Sequence, residues 1–382
     1  MPSVADALRQ HAPEYLQRFG ERVPIGHRKV LAAITRCRTG QLGGVHYQCG
    51  GCGREHWVGR SCGNRHCPNC GHEKSQLWLG KQSDRLLPVQ HFMVTFTVPE
   101  ALRKVLRGSQ RNGYKALFDA AAESIRDVGS ATRLLRGCQL GYFGVLHTWG
   151  RDPMVYHPHV HFVVPGGGVK VHEQGYAVSW QATPENFLFH HGTLVEVYKA
   201  KLADYLRACE LYDRVPADAW QGKFVVDIKP VGDGGAVLKY LAPYINRVAI
   251  SDKRIVAVDE QSVTYRYTPS RSQQSVTRKV EGWKFVRGFL QHVLPRGFQK
   301  IRYYGWMRSG KRRIQRDEVK WLVHQFLGWM YWLASGHAPR TTAKPPSVVR
   351  CAECGETMQI VEVTFRPVST LSEHALAYLD SG

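Results

Sequence analysis

Apolar residues along this chain recur with two different periods, and the switches between them mark its elements. Residues 1–36 carry Tyr15, Phe19, Val23 and Val30 at helical spacings with basic residues among them, which predicts a helical lead-in. Phe92–Val98 is dense in β-branched and aromatic residues and stops at Pro99, the pattern of a strand. A helical stretch is expected over roughly 99–127, then a strand over Leu140–Trp149, a turn through Gly150–Met154, and a strand running from Tyr156 to Pro165. Leu194, Val197, Tyr198, Leu202, Tyr205 and Leu206 are spaced as the apolar face of one helix. Phe224–Ile228 reads as a strand, 235–248 as a helix interrupted by Pro243, and Ile255–Val258 with Val263–Tyr267 as a hairpin. A buried helix is expected over Val319–Ala334. Strands separated by long helices, with at least one hairpin, predict an α+β domain and not a strictly alternating parallel sheet.

Between Cys37 and Gly71 the periodicity disappears and the chain becomes rich in Gly, Cys and His, as expected of a small domain organised by metal. Cys49-x2-Cys52 and Cys67-x2-Cys70 are two knuckles whose four thiolates suit one tetrahedral zinc. Cys37, Cys62 and His66, with His46 or His56 as further candidates, could complete a second site. Cys351 and Cys354 have no partners nearby in the chain and are not expected to hold metal, while Cys138 and Cys209 read as small apolar residues.

The 382 residues carry a formal net charge of +21, which favours a polyanionic partner and predicts salt-sensitive association with nucleic acid. No apolar run approaches the ~20 residues needed to span a bilayer, and the N-terminus lacks the pattern of a secretory signal. A cytoplasmic, nucleoid-associated protein with no membrane partner and no small-molecule substrate is expected. From Arg271 to Arg316 basic and aromatic residues interleave, as in surfaces that grip single strands. Arg287, Arg296, Arg302, Tyr303, Arg312 and Arg313 are the candidates there, joined by Lys239 and Arg247 upstream.

Two clusters suggest chemistry. His157, His159 and His161 alternate along a strand and would share one face, where imidazoles could hold Mg²⁺, Mn²⁺ or Zn²⁺. If the preceding hairpin is tight, His147 falls opposite the region of Pro158 and His159. Downstream, Tyr240 and Tyr244 lie four apart on the expected helix, placing two phenolic hydroxyls on one face. A metal that polarises a phosphate beside a tyrosyl nucleophile could cleave a DNA strand and conserve the bond energy in a phosphotyrosine link.

These residues, together with Ser61–Cys70, Pro165–Gly168, Tyr240–Ser251 and His292–Phe298 followed by Ile301–Gly305, resemble the rolling-circle transposases of the IS91 family, within the HUH endonuclease superfamily. The likeness runs from about Cys37 to Gly305. It implies an HUH-type antiparallel sheet with flanking helices, His159-Val160-His161 as the metal motif, and Tyr240 and Tyr244 as nucleophiles. His157 and His147 are the candidates for a third ligand. It further implies structural Zn²⁺, catalytic Mg²⁺ or Mn²⁺, and transposition through single-stranded DNA of the element's ends and target. Pro243 departs from the pattern, in which a basic residue precedes the second tyrosine. A plasmid replication initiator or relaxase using the same chemistry, and a non-catalytic zinc-dependent DNA-binding regulator, remain the competing readings. The expected organisation is a helical segment over 1–36, a zinc domain over 37–80 and a nuclease domain with its tyrosine helix over 81–270. A basic helical DNA-binding region would follow over 271–345, then a tail over 346–382.

Overall fold

Ser3 opens helix α1 (Val4–Phe19) with a capping box: its hydroxyl accepts from the Asp6 N–H, and the Asp6 carboxylate accepts from the Ser3 N–H. The computed structural model describes residues 2–71, 78, 80, 82, 85–232, 249–269, 272, 274–308, 310, 314–328 and 349–369. Val4, Leu8, His11 and Tyr15 fall at helical spacing on the buried face of α1, which packs with α2 (Ile25–Thr35). The chain then forms a hairpin from β1 (Gly44–Cys49) and β2 (Glu55–Gly59).

The central domain follows as β3 (His91–Thr97), α3 (Glu100–Gly108), α4 (Gln110–Ala131), the short β4 (Cys138–Gln139), β5 (Gly141–Trp149), β6 (Tyr156–Pro165), β7 (Gly167–Val171), β8 (Ala177–Ala182), α5 (His191–Ala208) and β9 (Val226–Pro230). Beyond it come β10 (Ile255–Val258), β11 (Ser262–Tyr267), β12 (Val276–Glu281), α6 (Gly282–Leu290), β13 (Ile301–Gly305), α7 (Arg316–Leu327) and β14 (Met358–Thr364). Five strands make one antiparallel sheet in the order β13-β5-β6-β3-β9. The architecture is the mixed α+β fold that the sequence predicts.

Strand alternation divides the work of this sheet. Phe92, Val94, Phe96, Tyr142, Leu146, Val160 and Phe162 point to one face and bury against α4 and α5. On the other face, Met93, Phe143, Val145 and Val163 are covered by Trp306, Met307 and the Val319, Leu322 and Val323 stripe of α7. That cover stops partway along the strands. Past its edge, the same face carries Thr95, His147, His159 and His161, so the sheet is apolar at one end and polar, histidine-rich at the other.

Two expected boundaries change. Residues 271–345 are not one helical arm: β12 joins β11, α6 packs against α1 with Gly282 under the His11 ring, and β13 edges the central sheet. Its basic and aromatic residues fall on strands as well as helices, and in β13 Arg302 and Tyr304 share one face of the sheet. The C-terminal segment is not a free tail either, because β14 pairs with β1 and completes a sheet in the order β14-β1-β2. The stretch around Leu77 to Leu86 and the 235–248 helix lie largely or wholly outside the described residues.

Gly144 of β5 lies against Phe162, and an added Cβ would sit 2.6 Å from the ring. Gly144→Ala should therefore cost about 1–3 kcal/mol through forced repacking. Thermal unfolding checks this; an unchanged melting temperature would mean the ring has room to move.

Candidate metal centres

The register of β5 and β6 pairs His147 with His159 and Val145 with His161. Directly opposed residues bring their Cβ atoms to within about 5.5 Å. The ligand nitrogens of His147, His159 and His161 accordingly all lie within 4.8 Å of one another. His157 is in the same cleft, with its ring centroid 5.2 Å from that of His159, but it is not part of this set of three. Alternate residues 157 and 161 are separated by roughly 13 Å along a strand, too far to share an ion, whereas the cross-strand neighbour is close. Geometry thus favours His147 as the third ligand over the sequentially convenient His157.

Burial, reinforced by the neighbouring imidazoles, holds His147 and His159 well below the usual histidine pKa. Burial likewise holds His161 down to about 4, although Asp227 opposes the shift. All three rings are therefore neutral and offer lone pairs. His159 Nδ1 donates to the His157 carbonyl at 2.7 Å, which leaves Nε2 as the ligand atom. His161 Nδ1 is 2.8 Å from Thr95 Oγ1, a contact that would orient its ring in the same way. Thr95 is a site residue that sequence reasoning passed over. The signal was present, since after His91 the polar residues of this strand are Thr95 and Thr97, which share one face.

The triad opens into a cleft of about 790 Å³ that is also lined by Trp149, Arg151 and Arg254. Asp152 at its edge is committed to structure: its carboxylate accepts from the Met154 N–H at 2.9 Å and the Tyr265 hydroxyl at 3.0 Å, and pairs with Arg278 at 2.7 Å. Tyr240, Tyr244, Lys239, Arg247, Arg312 and Arg313 lie outside the described residues. Of the other predicted DNA contacts, Arg287 and Arg296 are exposed. Arg302 is engaged elsewhere, 3.2 Å from Asp119 and over the Phe118 ring. Tyr303 is also occupied, donating to Gln82 at 3.0 Å.

The cysteines assemble differently from the sequence expectation. Cys49 and Cys52 do not join Cys67 and Cys70. One cluster is Cys37, Cys62, Cys67 and Cys70; the other is Cys49, Cys52, Cys351 and Cys354. The antiparallel hairpin explains the partition, because it carries its turn, with Cys49 and Cys52, to the far end of β1 from Cys37 and Cys62. In the first cluster the Cys37–Cys70, Cys62–Cys70 and Cys37–Cys67 sulfur separations are all 3.7 Å. Ligands at 2.3 Å from a tetrahedral zinc would lie ~3.8 Å apart, so the donors fit that ion, and disulfides at ~2.05 Å do not occur here.

His66 is not a ligand of this cluster. Its Nε2 accepts from the Leu294 N–H at 3.4 Å, and neighbouring Arg65 donates to the carbonyls of Phe298 and Pro295 at 2.7 and 2.8 Å. His46 instead stacks on Trp57. The segment that Arg65 and His66 grip also contains His292, whose Nε2–H donates to the Pro153 carbonyl at 2.9 Å while Nδ1 accepts from Thr148 at 3.1 Å. The cysteine loop is thus tied, through residues 292–298, to the β5–β6 turn beside the histidine triad.

Four-thiolate clusters, the first tied through residues 292–298 to an antiparallel sheet that bears a three-imidazole cleft, define a zinc-binding α+β protein with a separate histidine centre able to hold metal. Residues 7–98 match the family described as "Transposase zinc-binding domain", and residues 141–314 the family described as "Putative transposase". The chain is 33% identical over 342 residues, 84% of each chain, to "Putative transposase y4qJ" of Sinorhizobium fredii. It is 27% identical over 295 residues, 74% of this chain and 70% of the relative, to "Transposase for insertion sequence element IS801" of Pseudomonas savastanoi pv. phaseolicola. The chain belongs to the IS91 family of transposases, proteins that act on DNA. No solved structure matches it. No helix among the described residues is long and apolar enough to cross a membrane.

His292 has its pKa pushed down to about 3 by burial, so between pH 6.5 and 3 the unfolded chain takes up a proton there that the folded one does not. Stability contributed by this residue is complete above pH 6.5 and should be lost as pH falls through that window. His292→Asn, compared with the parent by chemical denaturation from pH 7 to pH 4, should show a shallower pH dependence; parallel curves would rule this out.

Proposed function

We propose that this transposase nicks and rejoins single-stranded DNA at the ends of its element, using the His147, His159 and His161 centre and the tyrosines Tyr240 and Tyr244. The observation that carries this reading is the convergence of three neutral imidazoles, oriented through the His157 carbonyl and Thr95, in a cleft lined by Arg151 and Arg254. A divalent cation held by these imidazoles, Mn²⁺ or Mg²⁺ as the family resemblance implies, would draw charge from the scissile phosphate. The arginines provide positive charge for the flanking backbone.

In the chemical step, the oxygen of one tyrosine forms a bond to phosphorus and the P–O3′ bond breaks. The phenolic proton passes through solvent to the departing 3′ oxygen, leaving a 5′-phosphotyrosine and a free 3′ hydroxyl. Attack by a 3′ hydroxyl on that linkage reverses the exchange and joins strands without hydrolysis. The second tyrosine allows another strand to be cut while the first stays attached, as rolling-circle transposition requires. The tyrosine assignment rests on the family resemblance and on their spacing in the chain. A cytoplasmic location at the nucleoid follows from the same reading.

Labelled single strands from the DNA flanking the gene, incubated with protein and Mn²⁺ and resolved on a denaturing gel, test the proposal. A covalent adduct should form and map to Tyr240 or Tyr244, and the double Phe variant should bind DNA with unchanged affinity yet form none. His159→Ala should lower cleavage about 10²–10³-fold, equivalent to several kcal/mol of transition-state stabilisation. Tight binding with no adduct from the parent protein would favour the non-catalytic regulator.

A further inference from the structure

The match to a zinc-binding domain ends at residue 98, long before Cys351. We propose that Cys49, Cys52, Cys351 and Cys354 hold a second structural Zn²⁺ that clasps the β1–β2 hairpin to residues 349–369, formed only when that segment docks on β1.

The two halves of this centre are copies of one local structure. Cys49-Gly50-Gly51-Cys52-Gly53 and Cys351-Ala352-Glu353-Cys354-Gly355 share a Cys-x-x-Cys-Gly pattern. Each closing glycine adopts a positive φ, +70° at Gly53 and +75° at Gly355, the region a side chain disfavours. Each donates its N–H to the carbonyl of the first cysteine at 3.0 Å. The first cysteine of each pair in turn donates its own N–H two residues past the second, Cys49 to Arg54 at 2.9 Å and Cys351 to Glu356 at 2.8 Å. Two such turns face one another, and an ion pair of 2.6 Å between Arg54 and Glu353 joins them.

The donor chemistry fits zinc. Cys49 and Cys354 sulfurs are 3.4 Å apart and those of Cys52 and Cys351 are 3.7 Å apart, near the ~3.8 Å edge of a zinc tetrathiolate. Binding would exchange the thiol protons for one Zn²⁺, with no change of oxidation state.

The docking that completes the site is extensive. β14 pairs with β1 from Gly44 opposite Thr364 to Cys49 opposite Met358. The Val368 N–H donates to the Gly40 carbonyl at 3.0 Å, and a Cβ on Gly43 would meet the Thr364 carbonyl oxygen at 2.0 Å. The first centre sits at the open end of the β1–β2 hairpin and the second at its turn, roughly 20 Å away for six residues of strand. The first therefore does not need the second. Losing the second would release β14 and leave the edge of β1 unpaired.

Metal analysis of the whole chain carrying His159→Ala, which removes the imidazole centre from the count, tests this. Two zinc ions per chain are expected, falling to one when Cys351→Ser and Cys354→Ser are added, with proteolysis appearing within 349–369. Cys354→His, which keeps a ligand, should retain two. One zinc before the cysteine changes, or two after them, would overturn the proposal. Should the double variant fail to fold, cobalt substitution of the parent decides: thiolate-to-cobalt absorption equivalent to two tetrathiolate sites per chain supports the clasp, and absorption equivalent to one refutes it.

Discussion

The antiparallel register of β5 against β6 is the constraint on which the candidate site depends. Because side chains alternate, a slip of one residue would send every inward group to the opposite face. His147 would leave His159, and Phe162 would leave the helices it packs on. The apolar face holds that register: Tyr142 and Phe96 make edge contacts with Phe162, and Gly144 provides the room for its ring. Core packing on one face of the sheet therefore sets ligand geometry on the other.

The cysteine module extends the same logic beyond the sheet. Its first cluster shapes the loop that presents Arg65 and His66 to residues 294–298, and His292 at the head of that segment holds the turn between β5 and β6. The module is a structural support of the histidine cleft, joined to it by hydrogen bonds to backbone carbonyls and amides. The basic region assigned to DNA from composition contributes to this scaffold as well, through the pairing of β12 and β13 and the packing of α6 on α1. Its cations divide accordingly, with Arg287 and Arg296 exposed and Arg302 held at Asp119.

Much of this was legible in the chain. Strands β3, β5, β6, β10 and β11, helix α5 and the helical stretches that hold α1–α2 and α3–α4 follow from hydrophobic period, because each buries one face against a continuous core; the breaks within those two stretches do not. The opposition of His147 and His159 could be anticipated from a tight turn. His292 was harder to read, since an imidazole that supports another residue leaves no periodic trace and is recognisable only once its partner is placed, whereas Thr95 left a period-two trace that went unread.

The sequence by itself determined the α+β class, the polyanionic partner, the family, and the residue types able to hold metal, since these depend on composition, local spacing and motif. Tertiary structure alone decided which of those residues meet. Cys49 lies closer in sequence to Cys67 than to Cys354, yet the hairpin carries it away from the first and β14 brings it 3.4 Å from the second. His157 lies beside His159 and His161 in sequence, yet His147 from the neighbouring strand takes the position near those two rings. Local spacing specifies what a knuckle or a strand can offer, while strand pairing across hundreds of residues selects the partner, because the hydrogen-bonded ladder and the core beneath it admit one register.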